Sequence, residues 1–326
     1  MLASTGRPGR RVSVVIPTWN GRDLVLACLK SLSAQTFRDF EIIVVDDGST
    51  DDTVARLEDR FPGAGLIKLD LNSGFCIAAN TGIEKSVGEL IVLLNNDMTV
   101  APDFLERLVA AADATNAALF APLVLWRDDP GVVYSAGDMQ RRNGRPESIG
   151  FRHPLDGFPF SDEVFGVSAG AALYRREVFD TVGMLDPAYG IYFSDSDLSF
   201  RARLAGFRPR FVRDAVAYHV GGASLFGKTL KRTRQCCVNH VLLVLKNMPL
   251  RLILRHGPAI LAERLHQVRR LFSAARAEYG ALRAGVVVCQ TLMSVSLLVP
   301  HALSERRKIQ RARKIAVEEL EGLLSE

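Results

Sequence analysis

Apolar residues run almost unbroken through four short segments of the first hundred residues: Val12–Thr18 (VSVVIPT), Glu41–Asp47 (EIIVVDD), Gly65–Asp70, which is the weakest, and Glu89–Asp97 (ELIVLLNND). Between and after them the apolar positions fall at helical spacing, over Asp23–Ala34, Asp51–Asp59, Cys76–Val87 and Pro102–Asp113. A strand without polar alternation is buried on both faces, so the order predicts an α/β fold: a mostly parallel central sheet flanked by helices, with right-handed crossovers.

From about Ala117 to Ser168 the pattern loosens into short apolar runs (ALFAPLVLW, GVVYSAG) among Gly-, Pro- and Arg-rich stretches. Gln140–Pro159 reads there as a mobile loop, a candidate lid. A strand–helix unit resumes at Val167–Val182, followed by a helix over Asp195–Ala205 and a strand near Arg210–His219. After Ser224 strands vanish and helical periodicity continues, punctuated by Lys231–Arg232, Arg269–Arg270 and Arg306–Arg307–Lys308. The expected organisation is a flexible tail over residues 1–10, an α/β domain over 11–224 and a C-terminal α-helical region over 225–326.

Ala284–Leu303 has no Asp, Glu, Lys or Arg and approaches membrane-spanning length. Gln290, Thr291 and Ser294 share one helical side, and Pro300 interrupts its end. A core helix of the C-terminal bundle is the first reading, a helix lying in the membrane interface the second, and a true span the third.

Composition narrows the class. A chain of 326 residues, 48% hydrophobic and 24% charged, buries a substantial core and is not generally disordered. Its net charge of +5 suits nucleotide phosphates or an anionic membrane surface. The five cysteines form neither a CxxC pair nor a zinc-type cluster, and adjacent Cys236 and Cys237 fit a buried helix. The opening MLASTGRPGRR holds no apolar signal core, so the expected compartment is the cytoplasm.

In an open parallel sheet, ligands bind beyond the carboxyl ends of the strands. Three polar clusters stand at those ends: Pro17-Thr18-Trp19-Asn20, Asp46-Asp47-Gly48-Ser49 and Asn95-Asn96-Asp97. Helix capping accounts for part of the second, but not for the third, which follows a wholly apolar strand. No GxGxxG follows the first strand, against a dehydrogenase. Thr18–Asp23 holds no Gly-rich, Lys/Arg-bearing loop, against a nucleotidyltransferase.

The segments VSVVIPTWNG, VVDDGSTDDT, NSGFCIAANTGI and LLNND resemble the nucleotide-binding half of family-2 glycosyltransferases with the GT-A fold. GVSAGAALYRREVFDTVGMLD, YFSDSDLSFRARLAGFRPRFV and AYHVGGAS resemble the second half, so the likeness runs from Val12 to Ser224. It is greatest to the rhamnosyltransferase-like branch that builds bacterial cell-surface polysaccharides. The resemblance implies an inverting transfer of a sugar from a UDP- or dTDP-sugar to a glycan or polyprenyl-linked acceptor. Asp47 would receive the imide N–H of the base, with Thr18 and Asn20 lining the base and ribose pocket. Asn72, Gly74, Asn80 and Asn96 would contact the donor. Asp97 and His219 would hold a divalent metal, Mn²⁺ or Mg²⁺, the imidazole tilting the preference toward Mn²⁺. Gly170 matches the loop that shapes the acceptor pocket.

Asp195 matches the family's catalytic base, and the neighbouring Phe193 would push its pKa toward the working range. Asp197, two residues on, is expected to pair with Arg201 at i, i+4 rather than to react. Two departures stand out: Asn95 and Asn96 replace flanking acids of the metal motif, and Ser194 stands where a Glu is common. They leave open a second class, a scaffold or nucleotide-sugar-binding protein that keeps the fold with weakened turnover. The implied partners are a donor, an acceptor and peripheral contact with the inner face of the cell membrane. A homodimer stays open, and no nucleic acid is implied.

Overall fold

The computed structural model describes residues 10–220 and 229–326. The expected tail up to residue 9 and the boundary near residue 225 lie outside the described residues, as do residues 221–224 of the AYHVGGAS segment.

The first half alternates strands and helices as its periodicity requires. In order come β1 (Val12–Thr18), α1 (Arg22–Ser33), β2 (Phe40–Asp46), α2 (Thr53–Arg60), β3 (Gly65–Lys68), α3 (Phe75–Lys85) and β4 (Leu90–Leu94). Then follow β5 (Met98–Val100), α4 (Phe104–Ala114), β6 (Leu119–Trp126), β7 (Val133–Ser135), β8 (Asp138–Gln140) and β9 (Pro146–Ser148). The α/β part closes with β10 (Ala171–Arg175), α5 (Arg176–Val182), a 3-10 turn at Pro187–Tyr189, α6 (Ser194–Leu204) and β11 (Pro209–His219).

The sheet order is β3-β2-β1-β4-β10-β6-β11-β5, with β7 beside β6. The first four strands run parallel, as their unbroken apolar runs predict. Beyond them the sheet is mixed rather than mostly parallel: β10 lies antiparallel to both β4 and β6, and β5 antiparallel to β11. On β1, Val14 and Ile16 face one core with Leu29 and Phe104, whereas Val15 faces the other with Ile91, Tyr174 and Leu198.

Gln140–Pro159 is not a free loop. β8 and β9 pair antiparallel, and the chain continues back along 131–137 through Ile149 N to Gly137 O (2.8 Å), Arg152 N to Val133 O (2.9 Å) and Leu155 N to Gly131 O (2.7 Å). The segment's polarity hid this pairing, which rests on backbone groups rather than on an alternating apolar face.

The C-terminal region is helical: α7 (Thr229–Asn247), α8 (Leu250–Arg255), α9 (Gly257–Tyr279), α10 (Ala281–Ala312) and α11 (Val317–Gly322). It shares cores with α6, since Phe200 and Leu204 pack with Val244, Met248, Leu252, Leu320 and Leu324. Of the cysteine pair on α7, Cys237 is buried and Cys236 half-buried, so the expected burial holds for one of the two. For Ala284–Leu303 the first reading needs correction. Only 11% of its most apolar stretch is buried, so α10 is no core helix, and it continues through Pro300 to Ala312.

Candidate active site

Several strands present their ends at one edge of the sheet. β1, β2 and β4 end there, and β10, running the other way, begins there with Ala171 opposite Leu94. β6 and β11 end there together, His219 opposite Trp126, and β5 starts there with Met98 opposite His219. These registers bring Asp97 and His219 together across 122 residues of chain, with Nε2 3.1 Å from Asp97 Oδ2.

Asp97 Oδ1 and His219 Nδ1 are buried without a hydrogen-bond partner among the described residues. The Tyr134 ring stands edge-on to the His219 ring at 4.2 Å, within an aromatic group that includes Trp126. Among the described residues no three His, Cys, Asp or Glu side chains gather as a metal cage. An orphaned carboxylate oxygen beside an imidazole nevertheless fits a hard divalent cation whose other positions are filled by diphosphate oxygens and water.

Around this pair stand the other residues that the resemblance singles out. Thr18 Oγ1 accepts a hydrogen bond from Asn96 Nδ2 at 2.8 Å, tying the first strand end to the fourth. Buried Asp47 accepts from Ser73 N (2.7 Å) and Gly74 N (2.8 Å), one on each carboxylate oxygen. A carboxylate has about four lone-pair positions, so each oxygen keeps room for a second donor. Gly74 sits at φ +93°, a conformation that L side chains rarely adopt. Gly48 is needed for closeness as well, because a Cβ there would lie 2.6–2.8 Å from the backbone of Leu71 and Asn72.

Asn20 is exposed, and its Oδ1 accepts from Thr50 N at 2.7 Å, so it organises the loop after β2. Asn72 is exposed beside that loop. Asn80 makes its own contacts within the fold. Its amide donates to Leu185 O (2.7 Å) and accepts from Leu185 N (3.1 Å), which staples α3 to the segment before the 3-10 turn.

Asp195 opens α6, and its carboxylate points back onto the turn that precedes β10. Oδ2 accepts from Ser168 Oγ and Ala169 N, both at 3.2 Å, and Oδ1 from Ser196 N at 2.9 Å. Burial raises its pKa above the usual carboxylate range against the pull of those three bonds.

A second carboxylate that sequence reasoning missed, Asp138 of β8, is raised by burial and then by the charge of Asp195. Its backbone N–H donates to Gly166 O, two residues before Ser168, and its side chain accepts from Ser148 Oγ at 2.9 Å. The residue falls where the apolar pattern is loosest, so no sequence signal marks it.

Two successive non-glycine residues just before α6, Tyr192 and Phe193, have φ near +65°. Such left-handed residues cost on the order of 1–3 kcal/mol each and persist only when their surroundings hold them. Asn239 of α7 is the holder. Its Nδ2 lies 2.9, 2.9 and 2.8 Å from the carbonyl oxygens of Tyr189, Ile191 and Tyr192, and Gln235 Nε2 adds a bond to Tyr189 O at 3.0 Å.

Asp197 is buried and pairs with Arg201 as expected, at 2.8 Å. It also meets Lys246 (3.0 Å) and Asn247 (2.8 Å) of α7 and the Tyr189 hydroxyl (3.1 Å). Burial pushes its pKa up, but Arg201 and Lys246 outweigh that and hold it down at about 2. A trace of this network is visible in the sequence, because Asn239, Lys246 and Asn247 interrupt the apolar face of Val238, Leu242 and Leu243.

Residues 13–183 match the family model for glycosyl transferase family 2. The chain is 30% identical to an N-acetylglucosaminyl-diphospho-decaprenol L-rhamnosyltransferase of Mycobacterium tuberculosis, over 59% of this chain and 70% of that protein. It is 28% identical over 61% of its length to the O-antigen biosynthesis protein RfbC of Myxococcus xanthus, and the match spans only 16% of that longer protein. Among solved structures it resembles a mannosyltransferase from Pyrobaculum calidifontis in complex with GDP-Man and Mn2+. There the TM-score is 0.55 and the identity 19%, over 94% of this chain and 86% of that one, a likeness of fold.

Proposed function

Because the chain belongs to glycosyl transferase family 2, we propose that it moves a sugar from a UDP- or dTDP-sugar to a hydroxyl of a glycan or lipid-linked acceptor, inverting the anomeric centre. Rhamnose is the first sugar to test, since a relative's name specifies it. The observation that carries the reading is the anchored carboxylate of Asp195, on the same sheet edge as Thr18, Asn96, Asp97 and His219. The helical region then follows an α/β catalytic domain of residues 11–224, and the site of action is the inner face of the cell membrane.

Asp195 accepts the acceptor's hydroxyl proton as that oxygen bonds to the anomeric carbon. The bond from that carbon to the phosphate oxygen breaks on the opposite face, and its electron pair leaves with the nucleoside diphosphate. Asp47 has lone pairs left for a base N–H, and Thr18 and Asn96 shape the floor between base and diphosphate. Asp97 and His219 would hold a divalent cation, Mn²⁺ or Mg²⁺, which when bound neutralises charge on the leaving diphosphate.

Asp97→Ala is expected to remove the metal dependence of donor binding. Calorimetric titration with UDP and dTDP, with and without Mn²⁺, measures it. Mn²⁺ should tighten binding to the wild type and leave the variant unchanged, and equal wild-type affinity in both titrations would take the metal out of the mechanism.

Asn239→Ala should release the Tyr192–Phe193 conformation and let Asp195 drift. Misplacement on the order of 1 Å costs roughly 10²-fold in rate. Steady-state kinetics should show kcat down by about that factor with the donor KM little changed. A proportional loss in both would mean that Asn239 supports the donor site instead.

A further inference from the structure

Charge is divided unevenly along the chain. Residues 229–326 hold seventeen Lys and Arg against seven Asp and Glu, a formal charge of +10, whereas the whole chain carries +5. Residues 1–228 are therefore net negative, and the basic character belongs to the helices.

α10 has two apolar faces. The inner one, through Val295, Leu298 and Ala302, sits on Leu242 and Leu245 of α7. The outer one follows the steps Leu282, Val286, Cys289, Met293 and Leu297, spaced four, three, four and four residues apart, which keeps one side of a helix over about 22 Å. It is bare: Leu282 is 90%, Val286 51%, Met293 65% and Leu297 75% exposed, and Cys289 is exposed too. Bare apolar pairs at i, i+4 also occur on α8, at Leu250 and Leu254, and on α9, at Leu261 and Leu265.

Three hydroxyls of α10 are satisfied within the helix. Thr291, Ser294 and Ser296 donate their hydroxyls to the carbonyls four residues back, at 2.7, 2.9 and 3.1 Å. Near the two ends of the stripe stand cations, Arg276 and Arg283 on either side of Leu282 in sequence and Arg307 and Arg311 beyond Leu297, and none has an ion pair among the described residues. Arg306 is not one of them, since its guanidinium donates to Leu245 O (2.9 Å) and Met248 O (2.7 Å) and belongs to the fold.

We infer that the outer face of α10 docks flat on an anionic lipid bilayer, the apolar stripe entering the headgroup boundary and the flanking arginines meeting lipid phosphates. This deepens the proposed function and rests on it only for the identity of the acceptor. Charge selects the occupant. Two copies meeting through this face would bring two regions of +10 together, whereas an anionic leaflet attracts one. The inner face decides against a span, because crossing would strip α10 from α7, break His301 from Asp186 (2.8 Å) and strand Arg306.

Flotation of the full chain on vesicles tests this without any turnover. The wild type should rise with phosphatidylglycerol-containing vesicles at low salt, largely dissociate at 1 M salt or so, and stay behind with pure phosphatidylcholine. The double variant Met293→Glu, Leu297→Glu alters two exposed positions and should lower the bound fraction at least tenfold while retaining wild-type donor hydrolysis. Flotation of that variant at the wild-type level, or no wild-type flotation on either vesicle, overturns the proposal. A lipid-independent dimer that the double variant dissociates would assign the face to a second copy instead. Binding that resists salt and alkaline carbonate would overturn the flat orientation in favour of a span. Flotation with no transferase activity under any donor would condemn the enzymatic reading and leave the surface standing.

Discussion

Asp195→Asn is expected to fold, bind the nucleotide sugar and transfer almost none of it. The amide keeps the size of the carboxyl but cannot take a proton, and loss of a general base costs roughly 10²–10⁴-fold. The pH dependence of the wild type carries a second signature. Burial holds the Asp195 pKa above the ordinary value of about 3.9. The acid limb of kcat/KM should therefore lie above that value, with activity falling as pH drops through the raised pKa.

Stability should respond in the opposite sense. A carboxyl whose folded pKa is raised contributes stability below its unfolded pKa and loses it as pH rises through the folded one. At neutral pH its ionised form is a burden, and the Asn variant removes it while giving up one bond from the 168–169 turn or from Ser196 N. Its melting temperature at pH 7 should equal or exceed that of the wild type. Retention of more than a tenth of wild-type turnover would exclude Asp195 as the base, and full inactivity of the wild type across UDP- and dTDP-sugars would favour a scaffold.

Lys246→Met should be the most destabilising single change. Lys246 is 2% exposed and Asp197 0%, and the ammonium also lies 2.6 Å from Asp186. Removing it leaves Asp186 and Asp197 with the Arg201 guanidinium on Asp197 as their remaining cationic partner, while Asn247 contributes only a neutral hydrogen bond. Breaking a buried pair costs about 3–5 kcal/mol, because the abandoned charge is not rehydrated. Urea midpoints at pH 7 should show the loss. Asp197 is held at about 2, so its ion pairs stabilise the fold above its unfolded pKa and fade as pH falls toward 2. The difference between wild type and variant should therefore narrow below about pH 4. A gap that does not change with pH would mean that Lys246 acts through packing alone.

Much of the α/β half was legible because its signals are local. Unbroken apolar runs marked β1, β2 and β4, helical spacing marked α1, α3 and α4, and polar residues at strand ends marked Thr18, Asp47 and Asp97. The pairing of Asp197 with Arg201 was legible for the same reason, since i, i+4 neighbours meet on any helix. The antiparallel entry of β10 was not, because an apolar run carries no direction. Nor was the pairing within Gln140–Pro159, where backbone bonds do the work that side-chain alternation does elsewhere.

By itself the sequence determined the family, the alternation of strands and helices from β1 to β4 and the residue types that reach the strand edge, because each depends on neighbours within a few positions. Tertiary structure decided which of them share a site. Asp97 meets His219 only through the registers of β5, β6 and β11, Asn80 bonds to Leu185, and Asp138 comes under the charge of Asp195. It also decided which apolar residues α10 hides and which it leaves bare, since a helix with two apolar faces reads alike from either side until a neighbour covers one.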